Sequence, residues 1–156
     1  VTKSKSIIDD DIKNNVKIVL PVDVVCSKDL KNVTKAEIKK IEDINKKDIG
    51  LDIGPETTLT YLNYLNDAKT VIWNGPMGLF ENYNFATGTQ TITSIIKDIT
   101  ANNNVCSIIG GGDTIRAIES TESLENFTHV STGGGASLKL LSGEKLDFIS
   151  SWEKYE

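Results

Sequence analysis

The chain has 156 residues, 38% hydrophobic and 25% charged, enough for one domain with its own core. Its net charge is −5, Arg116 is its only arginine and no basic stripe is present, which argues against a nucleic-acid partner. No run approaches the ~20 apolar residues of a membrane span, and the start, VTKSKSIIDDD, has no apolar signal core. Cys26 and Cys106 sit in apolar, strand-like runs without CxxC or Cys-His spacing. They read as buried reduced thiols of a cytoplasmic protein.

In chain order, SKSIIDDDIKNN (4–15) reads as a short amphipathic helix or the end of one. KIVLPVDVVC (17–26) is a strand in which Pro21 marks an end or a bulge. NVTKAEIKKIEDINKKD (32–48) is polar. Ile38, Ile41 and Ile44 fit a helix face, while the flanks read as loops and leave a short exposed strand open. Gly54-Pro55-Glu56 starts a helix over 56–67, with Leu59, Leu62 and Leu65 on one face. KTVIWNG (69–75) is a strand and PMGLFENYN a loop. Ile92, Ile95, Ile96 and Ile99 mark a core-facing helix. NVCSIIG (104–110) is a buried strand, DTIRAIES a short helix and FTHVS (127–131) another strand. GGGASLKLLSG (133–143) is a glycine-started helix ended by Gly143. This alternation predicts an α/β fold with a doubly wound parallel sheet, Rossmann-like in its crossovers.

Ligands of such sheets bind beyond the carboxyl ends of the strands. Three loops fall there, all glycine-rich: NGPMG (74–78), GGGDT (110–114) and TGGGAS (132–137). Glycines opening a helix present bare N–H groups and the positive end of the helix dipole, which favours an anion. Asp113 would repel a bare phosphate at that position. It fits if it holds Mg²⁺ that bridges to the phosphate; alternatively it caps its helix or pairs with Arg116. Two such helix ends suit a ligand with more than one phosphate, unless the glycines serve packing alone. Glu81 is placed either to accept from ribose hydroxyls or to charge the start of the next helix.

Several fingerprints are absent. There is no GxxxxGK[ST] and no GxSxG, and GGGDTI fails GxGxxG because Ile115 stands at its last glycine. That disfavours a dinucleotide-dependent reductase. His129, the only histidine, lies in a strand-like run and reads as structural.

WNGPMGLFE (73–81), IGGGDT (109–114) and STGGGASLKLLSGEKL (131–146) stand in this order, with LPVD (20–23) and GLDIGPET (50–57) before them. Together they resemble the nucleotide-binding domain of the phosphoglycerate kinase family over about residues 15–146. The resemblance implies that residues 1–146 form the C-terminal part of that domain, a partial C-terminal domain of a two-domain kinase, and that 147–156 form its tail. It implies that Gly50 and Leu51 line the adenine pocket, that Asn74, Pro76 and Leu79 border the nucleoside, and that Glu81 binds the ribose. Gly111, Gly112, Asp113 and Thr114 would receive the phosphates of ATP or ADP, with Asp113 directed at Mg²⁺. Gly133, Gly134 and Gly135 would flank the phosphoryl group in flight, so that Gly111, Gly112, Gly134 and Gly135 are the candidate catalytic positions.

The family's reaction moves a phosphoryl group from 1,3-bisphosphoglycerate to ADP, giving 3-phosphoglycerate and ATP. Two departures stand out. The family's basic phosphoglycerate-binding domain and the first half of its nucleotide domain have no counterpart here, and the tail DFISSWEKYE differs from the usual ending. The chain is therefore expected to be an inactive fragment of a monomeric cytoplasmic enzyme whose missing N-terminal part is its natural partner. The alternative is a standalone nucleotide- or anion-binding module without kinase activity.

Overall fold

A computed structural model describes residues 16–30, 35–146 and 151. The helix read over 4–15 and nearly all of the tail 147–156 lie outside the described residues. The strands are β1 (Asp23–Ser27), β2 (Glu37–Lys40), β3 (Ile49–Ile53), β4 (Thr70–Asn74), β5 (Cys106–Gly110) and β6 (His129–Ser131). The helices are α1 (Pro55–Asn66), α2 (Thr87–Asn103), α3 (Gly112–Glu119) and α4 (Gly134–Leu141). Short 3₁₀ turns occupy Ile41–Asp43, Tyr83–Phe85 and Leu124–Asn126.

The second half follows the expected plan. β4, β5 and β6 form a parallel sheet in that order, with α2 and α3 as crossovers. Trp73 lies opposite Ile109, and Asn74 opposite Gly110, so the three glycine-rich loops leave the sheet on one edge. Ile92, Ile96 and Ile99 are buried against Val71, Trp73, Val105, Ile109, Ile118 and Phe127, with Ile95 packed at the side. Among the described residues β4 pairs on one side only, and its Ile72 is 49% exposed.

The first half departs from the expectation of a single parallel sheet. β2, β1 and β3 form a separate sheet in which both pairings are antiparallel, with a bulge between Val25 and Cys26. Chain length accounts for the β1–β2 pair: 28–36 is too short for a crossover helix, so β2 must return antiparallel to β1, and β3 then lies on the other side of β1. Of the two readings left open for 32–48, the exposed strand is present, as EIKK, followed by a 3₁₀ turn. GLDI, assigned to no element from the sequence, belongs to β3. The helix expected over 56–67 is α1, but its inner face differs. Leu59 is 59% exposed, whereas Thr57 is buried and Tyr61 and Leu65 pack on the core.

Two buried aspartates join the halves. α1 begins at Gly54 and α2 at Ala86, and neither residue offers a capping side chain. In α1 the cap comes from β1: Asp23 Oδ1 accepts from Thr57 N at 2.7 Å, and Asp23 Oδ2 accepts from Glu56 N at 3.1 Å. In α2 it comes from β3: Asp52 Oδ2 accepts from Gly88 N at 2.8 Å. Carboxylates aimed at helix starts satisfy orphan N–H groups and complement the dipole.

Candidate functional site

The ends of β4, β5 and β6 converge on the Asn74 side chain. A Cβ built on Gly110 would lie 3.1 Å from Asn74 Nδ2, and one on Gly111 would lie 3.1 Å from Asn74 Oδ1. Gly111 has φ +92°, a conformation for which glycine is suited. On the other loop, a Cβ on Gly134 would lie 2.7 Å from Gly111 N and 2.8 Å from Gly111 Cα. The starts of α3 and α4 are therefore in direct backbone contact. Gly75 N donates to Thr114 Oγ1 at 2.7 Å, which ties the β4 loop to α3, and the Ser131 and Ser137 hydroxyls, 2.7 Å apart, tie α4 to β6.

Packing accounts for only some of these glycines. Gly111 is needed for its backbone angle and Gly134 for the close approach. Gly112, Gly133 and Gly135 are different: a Cβ on any of them would meet nothing within 4 Å. Open space in front of three glycines at two adjoining helix starts is what a ligand approaching the backbone requires. The first N–H groups of α3 and α4 have no partner within their own helices.

Asp113 stands in the first turn of α3 with its side chain 69% exposed, ion-paired with Arg116 one turn on. It does not cap the helix, because no side chain bonds at that start. Among the described residues no three His, Cys, Asp or Glu side chains are grouped to hold a metal. A single accessible carboxylate beside free N–H groups nonetheless fits Mg²⁺, which takes one or two protein carboxylates and fills its shell with phosphate and water. Thr114 is fully buried, backbone included, and its hydroxyl accepts from Gly75 N, so in this structure it presents no exposed group to a ligand and serves to tie the two loops together.

Toward the other end, Gly50 and Leu51 lie on β3, and Pro76, Leu79 and Glu81 on the loop after β4. Leu79 N donates to Leu51 O at 2.8 Å, which brings the two halves of the expected nucleoside border side by side. The loop is also held from α2, where Thr89 Oγ1 accepts from Met77 N at 3.0 Å and Gly78 N at 3.3 Å. Glu81 is exposed at the loop's far end. Pro76 is half-buried. His129 opens β6 with an exposed side chain, and both cysteines are free, Cys26 buried and Cys106 half-buried.

The phosphoglycerate kinase sequence profile matches residues 1–144. The chain belongs to the phosphoglycerate kinase family. Phosphoglycerate kinase of Prochlorococcus marinus strain MIT 9515 is 42% identical over 136 residues, 87% of this chain and 34% of that protein. The enzyme of Dictyoglomus turgidum is 44% identical over 138 residues, again 34% of its length. The chain thus spans about a third of the curated relatives it matches. In structure it is similar to phosphoglycerate kinase from Coxiella burnetii, with a TM-score of 0.84 and 34% identity over 92% of this chain and 36% of that one. The Pyrococcus horikoshii enzyme gives 0.70 and 28% identity over 97% of this chain and 38% of that one. Among the described residues no helix is long and apolar enough to cross a membrane.

Three side chains central to this phosphoglycerate kinase segment went unremarked in the sequence. Asp23 and Thr57 stand inside LPVD and GLDIGPET, and their pairing explains why those stretches occur together: Thr57 Oγ1 donates to Asp23 Oδ1 at 2.6 Å. Burial raises the Asp23 carboxyl, but hydrogen bonds from Thr57 and Glu56, with Lys40 nearby, outweigh it and hold it below the ordinary carboxylate range. The third, Asp52, has no such support. Burial pushes it up to about 6, only partly opposed by the N–H groups of Gly88 and Ile53. The only signal for Asp52 was a lone carboxylate within an apolar strand.

Proposed function

We propose that this chain carries part of the nucleotide site of a phosphoglycerate kinase, as the C-terminal portion of its nucleotide-binding domain. Residues 1–146 form that portion and 147–156 its tail. The observation that carries the reading is the contact between the α3 and α4 starts, with open space before Gly112, Gly133 and Gly135. Family membership supplies the reaction class: a phosphoryl group leaves the acyl phosphate of 1,3-bisphosphoglycerate and is attacked by the terminal phosphate oxygen of ADP, giving 3-phosphoglycerate and ATP.

In this reading Gly50 and Leu51 contact adenine, and Asn74, Pro76 and Leu79 border the nucleoside. Glu81 accepts from the ribose hydroxyls. The N–H groups of Gly111 and Gly112 hold the nucleotide phosphates, with the buried Thr114 fixing this loop against Gly75. Those of Gly133, Gly134 and Gly135 stabilise the moving phosphoryl group, so Gly111, Gly112, Gly134 and Gly135 act catalytically through their backbones. Asp113 would hold Mg²⁺, which when bound neutralises phosphate charge. The work of the chain is positioning and charge stabilisation, with no covalent intermediate.

The described loops present no lysine to a phosphate, and the sole arginine is paired with Asp113. The chain alone is therefore expected to bind nucleotide without turning it over. In this reading the groups that hold phosphoglycerate lie in the two thirds or so of the relatives' length that this chain does not span. Calorimetry tests the reading. Mg-ADP should bind with a stoichiometry near one, and Asp113→Ala should weaken Mg-ADP about tenfold or more while leaving metal-free ADP nearly unchanged. Equal loss of both, or no effect on either, removes Asp113 from metal binding.

A further inference from the structure

Asp52 is buried, with 4% of its surface exposed, yet nothing in the proposed transfer uses it. Its carboxylate lies where three segments meet. On α2 it accepts from Gly88 N at 2.8 Å, and on its own strand from Ile53 N at 2.9 Å. Gly78 of the loop after β4 rests directly on it: a Cβ there would stand 2.4 Å from Asp52 Oδ1 and 2.6 Å from Phe85 O. A Cβ on Gly88 would stand 2.3 Å from the same oxygen. Two glycines are thus required so that a loop and a helix start can close over one carboxylate. Its immediate neighbours in sequence, Leu51 and then Gly50, are the proposed adenine contacts, and Leu51 O holds Leu79 N.

Among the described residues no charged partner balances it. The titratable groups on the elements packed around it are Glu81 on the loop, the exposed Tyr83 in the turn, and on β1 the buried Cys26 thiol and Asp23, whose carboxylate is turned to α1. Lys97 and Asp98 lie more than two turns further along α2. None of these acts on the Asp52 carboxyl; burial and two backbone N–H groups do. A buried charge without a counter-ion works against folding, and an apolar residue would fill the space without that penalty.

We propose that Asp52 is a positioning residue for the 76–81 loop: its ionised carboxylate fixes the start of α2 beneath Gly78, and the adjoining Thr89 holds the loop, so that Leu79 and Leu51 are kept together as one wall of the nucleoside pocket. The inference deepens the nucleotide reading and rests on it for the pocket's occupant. The ionised form is the stronger acceptor at a helix start, so protonation loosens Gly88 N at Oδ2 and with it the start of α2, whose Thr89 hydroxyl holds Met77 N and Gly78 N of the loop. The loop should therefore shift as pH falls through about 6, the range in which this buried group titrates.

Trp73 reports on the loop's root, because it is 5% exposed and its Nε1 donates to Gly75 O at 2.7 Å. In the full chain carrying Trp152→Phe, Trp73 is the single indole. Its emission should titrate with a midpoint near pH 6, and Asp52→Asn, which keeps shape and an acceptor, should abolish the titration. Mg-ADP affinity should rise several-fold from pH 5 to 7.5 relative to Asp52→Asn; the ratio removes the phosphate's own titration, which falls in this range. Identical emission profiles in the two proteins, or no titration in either, overturn the proposal, as does a pH-independent affinity ratio. A Trp73 titration that depends on Asp52, in a chain that binds no Mg-ADP at any pH, upholds the clamp and sinks the nucleotide reading instead. If Asp52→Asn does not fold, the amide resonances of Gly78, Leu79 and Gly88 in the unmutated chain decide. A shared midpoint near pH 6 supports the clamp and unrelated midpoints overturn it.

Discussion

At Gly134 a side chain has nowhere to go: the backbone of Gly111 already occupies the position, 2.7 Å away. At Gly112 the same methyl would meet nothing. The two substitutions should therefore separate stability from binding. Gly134→Ala should lower unfolding free energy by about 1–3 kcal/mol through forced displacement of the adjoining loop. Gly112→Ala, in the first turn of a helix, should leave stability unchanged or raise it by up to about 1 kcal/mol while weakening Mg-ADP. Thermal melts and calorimetry on the two variants check this, and a destabilised Gly112→Ala with normal affinity would contradict it. Such roles were only partly legible beforehand. Two glycine triplets at strand ends announce an anion site, because few other needs place so many bare amides before helices. Which glycine serves packing and which faces open space depends on how the two loops meet, and that is a tertiary fact. Asp113 was visible for the same reason the glycines were. Asp52 was not, since a carboxylate between Leu51 and Ile53 looks like any solvated residue of an alternating strand until α2 and the 76–81 loop are seen to cover it.

The elements carry a second lesson about these carboxylates. Gly54 and Ala86 cannot cap the helices they precede, and the work passes to Asp23 and Asp52 on neighbouring strands. The two respond oppositely to pH. The Asp23 carboxyl is held below its ordinary value of 3.8, so its stabilisation is complete at neutral pH and is lost as pH falls below about 4. The Asp52 carboxyl is raised to about 6, so the folded chain takes up a proton before the unfolded chain does. Its contribution is fully present below about 4 and is lost as pH rises through 6. With solvent screening discounted, that contribution is on the order of 2 kcal/mol. Urea unfolding followed against pH should show greatest stability between about 4 and 6, and Asp52→Asn should flatten the upper flank. A stability that climbs steadily from pH 4 to 8 would refute the assignment. The parallel half of the fold was readable because its crossover helices carry isoleucines at helical spacing. Of the antiparallel half, β1 was readable from its apolar run and β2 only as one of two alternatives, because EIKK has no buried alternation; GLDI is masked by the strong helix-start signal of Gly-Pro-Glu that follows it.

At the scale of the whole molecule, the glycine loops gather at one edge of the parallel sheet. The carboxyl edge of the β4–β5–β6 sheet collects the glycine loops, Asn74 and the exposed Asp113, while β4 presents an unpaired side among the described residues. Beside it lies an apolar groove of about 200 Å³ lined by Tyr61, Tyr64, Leu65, Ile72 and Met77. The chain spans about a third of its relatives. The claim on which this account depends is that the amides opening α3 and α4 jointly grip a nucleotide's phosphates. Mapping amide chemical shifts in the labelled chain as Mg-ADP is added tests it directly. The resonances of Gly111, Gly112, Gly134 and Gly135 should move together along one saturable curve, with Leu51 and Leu79 following at the nucleoside end. If those amides stay still while Mg-ADP binds elsewhere, or if only one of the two helix starts responds, the account is wrong.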